Sequence, residues 1–302
     1  MSTHAVRHWI STAQGRVVVA LAVAVTTLLA TGGVVALRGG AQTASTAPAA
    51  RPEPMSLDTA VEWRARAAEW TAREIDAGRT VACDPSTCEE LAGRGTPAGS
   101  LLRLDGPDGP GTILQSDVVI VTAQVRGTLA AQLEVLLSPE VLARFGTGAS
   151  RFEVREVAPE GRAAYRARQA ADVRDRRYAG HELLANRRLG VTPDVARQLS
   201  AGQVDGRLLT VIAMLSADRR LYLRSFGDAG ETSGVPLRSV DIATVDGRPP
   251  PATAVTGIGR VLRDQEPRFR PAETTLATPP EGSTPVLRIR YGAPSPLGLL
   301  TP

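Results

Sequence analysis

Hydrophobic positions follow three different patterns along this chain. From Val17 to Leu37 they form a run of 21 residues without a charge, bounded by Arg16 and Arg38. At helical rise such a run spans about 31 Å, close to the hydrocarbon thickness of a bilayer. It predicts one transmembrane helix at 17–37, after a short tail at 1–16. Residues 38–56, rich in Ala, Thr, Ser and Pro, read as a flexible tether. A cleaved signal peptide is the alternative, kept open by Ala41-Gln42-Thr43-Ala44. A buried helix fits less well, because the polar tether beside it has nothing to bury it.

From 57 to 158 the pattern alternates between helical and strand periods. A helix is expected over Leu57–Ala77, a strand over Thr80–Cys83, a helix to Ala92 and an apolar stretch over Ser100–Leu104. Asp117–Thr122 is a short apolar run suited to a central parallel strand, followed by a helical stretch from Gly127 to Phe145 and a strand over Arg151–Val157. The series predicts an α/β region of βαβ type. The glycine-rich segment Asp105–Gly111 lacks the strand-to-helix phosphate fingerprint and reads as a surface turn.

The third pattern fills 159–302 and predicts an α+β region. A charged helix over Glu160–Asn186 reads as the connector. Beyond it, Thr192-Pro193 opens a helix to Ala201, a second helix runs to Ala217, and Leu221–Phe226 alternates as a strand. A helix over Thr253–Asp264 and a last strand over Pro285–Tyr291 complete the set.

Composition narrows the function classes. All 35 basic residues are arginine, and 31 acidic residues are interleaved with them for a net charge of +4. No basic stripe of the kind that neutralises a phosphate backbone results, so nucleic acid is not an expected partner. No G-x-S-x-G elbow is present, and His181 is the one histidine beyond the tail. In its charged helix, His181 reads as solvated or packed rather than catalytic.

The two cysteines, Cys83 and Cys88, flank Asp84-Pro85. A disulfide is the reading, closing a small loop between a strand and a helix that Asp84 caps and Pro85 begins. A redox or metal pair is the alternative, disfavoured by the spacing and by the lack of further ligands nearby. An oxidised pair places the domain outside the membrane and the amino terminus in the cytoplasm. The basic residues Arg7 and Arg16 before the span and Arg38 and Arg51 after it decide little about orientation.

Several words of the carboxy-terminal part carry a family likeness. Leu183-Leu184-Ala185-Asn186, the Thr192-opened helix, Val204-Asp205-Gly206-Arg207-Leu208-Leu209 and Arg238-Ser239-Val240-Asp241-Ile242 with Val245-Asp246-Gly247 resemble the secreted zinc D-alanyl-D-alanine metallopeptidase and hedgehog-type domains. The resemblance covers about Glu182 to Tyr291 and implies that fold with a zinc site. At the implied ligand positions, however, Gly234 stands for the first histidine, Thr232 and Leu237 for the motif serine and glycine, and Val286-Leu287-Arg288 for the closing His-x-His. Asp241 alone remains, so the resemblance implies a domain without metal or cofactor, with Asp241 as its relic-site residue. Over the whole domain, Cys83–Cys88 and the tail Ala293–Leu300 also resemble membrane-anchored proteins of high-GC Gram-positive bacteria.

The expected function is therefore a non-catalytic, single-pass plasma-membrane protein whose extracytoplasmic domain binds a cell-wall peptide or another envelope protein. The alternative is an envelope hydrolase or transferase built on carboxylates such as Asp117, Asp205 and Asp241. Gly32 and Gly33 lack G-x-x-x-G spacing, so the span reads as a plain anchor rather than a pairing helix.

Overall fold

Four consecutive apolar residues, Val118–Val121, form strand β3, and all four are buried because each face of the strand meets a different set of helices. The computed structural model describes residues 57–106, 108–227, 236–279 and 284–300, which belong to one compact unit, 54–301. The expected tail, span and tether at 1–56 lie outside the described residues. Among the described residues no helix is long and apolar enough to cross a membrane. The fold is mixed α/β, with two five-stranded mixed sheets and eight α-helices among the described residues.

The first sheet runs in the order β2-β1-β3-β5-β4, from β1 (Val81–Cys83), β2 (Leu101–Arg103), β3, β4 (Ala143–Phe145) and β5 (Phe152–Glu156). Val81, Cys83, Val118 and Ile120 pack with Trp70 of α1 (Leu57–Glu74) and Leu91 of α2 (Pro85–Gly93). Ala82, Val119 and Val121 pack on the other side with Ile113 of α3 (Gly109–Leu114) and with Val125 and Leu133 of α4 (Ala123–Leu136).

The expected parallel pairing holds for β1 with β2 and with β3, but β5 runs antiparallel to β3, and β4 antiparallel to β5. The short connection from Phe145 to Phe152 permits only an antiparallel hairpin, since a parallel return needs a crossover of a dozen residues or more. The helix expected over Gly127–Phe145 also ends early, at Leu136. Pro139 cannot continue it, the Ser138 amide bonds the Glu156 carbonyl, and Ala143–Phe145 joins the sheet with Phe145 opposite Phe152. The turn expected over Asp105–Gly111 instead opens α3, where the Asp108 carboxylate accepts from the Gly111 amide.

Helix α5 (Arg162–Ala185) leads to the second sheet, ordered β6-β7-β8-β10-β9. Its strands are β6 (Leu189–Val191), β7 (Leu221–Gly227), β8 (Ser239–Val245), β9 (Glu273–Ala277) and β10 (Val286–Arg290). β6 pairs parallel with β7 and the other neighbours pair antiparallel. Leu223, Val240, Ile242, Leu287 and Ile289 form a core with α6 (Pro193–Ser200), α7 (Gly206–Asp218) and α8 (Ala252–Arg263). Gly180 of α5 lies so close to the Leu199 carbonyl of α6 that a methyl group there would collide with it.

Val245-Asp246-Gly247 is a turn word. Asp246 and Gly247 have φ of 53° and 79°, and Val245 and Arg248 exchange both backbone hydrogen bonds around them.

Candidate functional site

Polar side chains at the ends and on one face of these sheets form four clusters. The first is the cysteine loop. Cys83 and Cys88 form a disulfide with Cα atoms 5.5 Å apart, and both are buried. The Asp84 carboxylate caps α2 by accepting from the Thr87 amide at 3.0 Å and the Thr87 hydroxyl at 3.1 Å, with Pro85 opening the helix.

The second cluster lies on the second sheet, on the face away from Val240 and Ile242. Asp241 and Arg288 are direct cross-strand neighbours in β8 and β10. Arg288 donates from Nε to Asp241 Oδ1 at 2.8 Å and from Nη2 to Oδ2 at 2.9 Å. Those hydrogen bonds raise the pKa of the guanidinium. The zinc ion implied by the peptidase resemblance does not fit this donor set: both oxygens of Asp241 are held by a cation, and positions 286 and 288 offer Val and Arg. Among the described residues no group of three or more His, Cys, Asp or Glu side chains is placed to hold a metal ion. Thr232 and Gly234 lie outside the described residues, Leu237 bridges to Val204, and His181 is exposed on α5.

The third cluster surrounds Asp205, fully buried at the N-cap of α7. Its carboxylate accepts from Arg207 Nη2 at 2.8 Å and from the Ser295 hydroxyl at 2.7 Å. Burial pushes the Asp205 carboxyl up, but Arg207 and Ser295 outweigh it and hold the group below the ordinary carboxylate range. Arg207 also donates to Asp76 at 2.7 Å and to the Gly292 carbonyl at 2.7 Å, and its guanidinium stacks 4.8 Å from the Tyr291 ring centroid. Nearby, the Gly298 amide donates to Asp172, which pairs with Arg176 at 2.8 Å inside the face of α5. Two of the words singled out in the sequence, Val204–Leu209 and Ala293–Leu300, are thus halves of one buried clasp, and Asp76 ties it to the end of α1.

The fourth cluster sits where β1 and β3 begin and β5 ends. Asp117 accepts from Arg79 at 2.8 Å and from the Thr80 amide and hydroxyl at 2.8 and 2.9 Å. Burial works to raise its pKa, but the Thr80 and Arg79 bonds bring it below the usual value. Asp117 lines an open polar cleft of about 290 Å³ with Arg79, Gln115, Ser116 and Glu156. Glu156, which the sequence reading missed, accepts a 2.7 Å hydrogen bond from Tyr165. Burial pushes the Glu156 carboxyl up to about 7, against the pull of Tyr165, Arg79 and Arg168. A glutamate ending a strand of alternating Phe152, Val154 and Glu156 gave no chemical signal in the sequence.

Asp117, Asp205 and Asp241 are therefore committed to three different arginines, and it is Glu156 that shares a cleft with Asp117. Comparison with family models, with curated proteins and with solved structures finds no match to this chain.

Proposed function

We propose that this chain is a single-pass plasma-membrane protein, with its amino terminus in the cytoplasm and residues 57–302 outside, and that the outer part binds a cell-wall peptide or another envelope protein without cleaving it. The uncharged run at 17–37 supports the anchor, and the buried Cys83–Cys88 disulfide fits an oxidising compartment. The pairing of Asp241 with Arg288 carries the non-catalytic reading. The carboxylate that the peptidase resemblance retains is neutralised by a guanidinium, which cannot activate a water as a metal ion does. In this reading the relic face of the second sheet serves recognition. The test is to incubate the full-length protein with muropeptides and assay both retention and cleavage. Retention of intact muropeptide supports the reading, and release of cleaved products overturns it.

A second reading rests on one observation. Asp117 and Glu156 line the same cleft with their pKa values displaced in opposite directions, an arrangement suited to one carboxylate acting as base and the other as acid. Under that reading the chain is an envelope hydrolase working from the first sheet. Muropeptide cleavage that disappears in Asp117→Asn and persists in Asp241→Asn would establish it.

A further inference from the structure

Glu156 is the last residue of β5, five residues before the turn at Gly161 delivers the chain into α5. Its side chain reaches back over that turn to Tyr165 in the first turn of the helix, so one hydrogen bond of 2.7 Å closes the joint between sheet and helix. The same residue lines two spaces. One is the open cleft with Arg79 and Asp117; the other is a narrower, partly open pocket of about 30 Å³, room for a water molecule, lined by Glu140, Tyr165, Arg176, Arg238 and Ser295. That pocket lies where the first sheet, α5, the segment before β8 and the carboxy-terminal tail meet.

We propose that Glu156 is a proton-responsive joint between the first sheet and α5: neutral and bonded to Tyr165 in mildly acidic surroundings, it loses its proton to the open cleft as the surroundings turn alkaline. The joint then holds a negative charge between the two spaces.

The surroundings make this charge costly. Asp117, whose carboxyl is held below its ordinary range, faces Glu156 across the cleft from the start of β3, and Glu140 lines the smaller pocket from the segment before β4. Arg79 before β1 and Arg168 on α5 favour the charged form, but Arg79 is already bonded to Asp117 at 2.8 Å. Arg176 is likewise bonded to Asp172 at 2.8 Å, and Arg238 lines the smaller pocket from the segment before β8. Burial outweighs the cations, which leaves the carboxyl at about 7 rather than 4.5. A group that holds its proton more tightly in the folded chain contributes its full stabilisation below the unfolded value. That contribution is lost as pH rises through the folded one. The window is therefore from about 4.5 to about 7, and stability falls toward the alkaline side.

Selective 13C labelling of glutamate in the full-length protein reads the site directly, with Glu156→Gln identifying the resonance. The expected midpoint is near 7, moving higher in Tyr165→Phe because the hydroxyl that favours the carboxylate is gone; a midpoint in the ordinary glutamate range overturns the proposal. Thermal unfolding supplies the second reading. The wild type is expected to lose about tenfold or more in folding equilibrium constant between pH 5 and pH 8 relative to Glu156→Gln, which keeps an acceptor for Tyr165. Hydrogen exchange in residues 157–165 should speed up over the same interval in the wild type alone. Parallel pH profiles for wild type and Glu156→Gln contradict the proposal even if the variant is less stable at every pH.

Discussion

Arg288 grips Asp241 through two near-parallel hydrogen bonds of 2.8 and 2.9 Å, strand to strand across the β8–β10 ladder. Planar two-point pairing of this kind is specific to a guanidinium, since lysine offers a single point charge. The pair fixes what this face of the sheet can do: the carboxylate is already satisfied.

Arg288→Ala should lower stability by about 1–3 kcal/mol, because Asp241 would be left mostly buried without its charged donor. The double variant Arg288→Ala with Asp241→Ala should recover part of that loss. Urea unfolding of the four proteins in a double-mutant cycle measures the coupling.

Loss of Arg207 should cost more, about 3–5 kcal/mol, since a buried charge is abandoned rather than a partly exposed one. Arg207→Ala is also expected to free the tail, because Arg207 bonds the Gly292 carbonyl and shares Asp205 with Ser295. Limited proteolysis within 293–300 should become rapid in that variant and remain slow in Arg288→Ala.

Much of this fold was legible in residue patterns and much of its polar interior was not. Asp84-Pro85, Thr192-Pro193 and Val118–Val121 state their roles locally, as cap, helix start and central strand, and each holds in the structure. β4 was hidden because Ala143-Arg144-Phe145 is three residues long and continues an apolar run after α4; only pairing with β5 makes it a strand. β6 and β9 were missed for a related reason, being edge strands of three and five residues with little alternation. The helix expected over Glu160–Asn186 as a charged connector buries Asp172 and Arg176, which satisfy each other inside, a pairing that a count of charges does not reveal. The clasp of Asp76, Arg207 and Ser295 joins residues far apart in the chain, which periodicity cannot reveal.

Reduction of Cys83–Cys88 should cost about 2 kcal/mol, the small value expected for closing so short a loop. The domain should stay folded, because Cys83 and Leu91 remain packed with Trp70. Denaturant titration with and without reductant provides the comparison.

Acid should weaken the fold through Asp117 and Asp205. Both carboxyls are held below their ordinary value, so their contribution is present above the unfolded pKa and is lost as pH falls through the folded one. Unfolding is expected to set in below about pH 4, with a shallower acid limb in Asp117→Asn. Circular dichroism from pH 6 to pH 2 measures it.

The binding account meets its most direct test in mass spectrometry of muropeptides incubated with the full-length protein, together with zinc analysis of the same sample. It predicts intact muropeptide retained by the protein and no stoichiometric zinc. Cleaved peptide, or one zinc per chain dependent on Asp241, would contradict it.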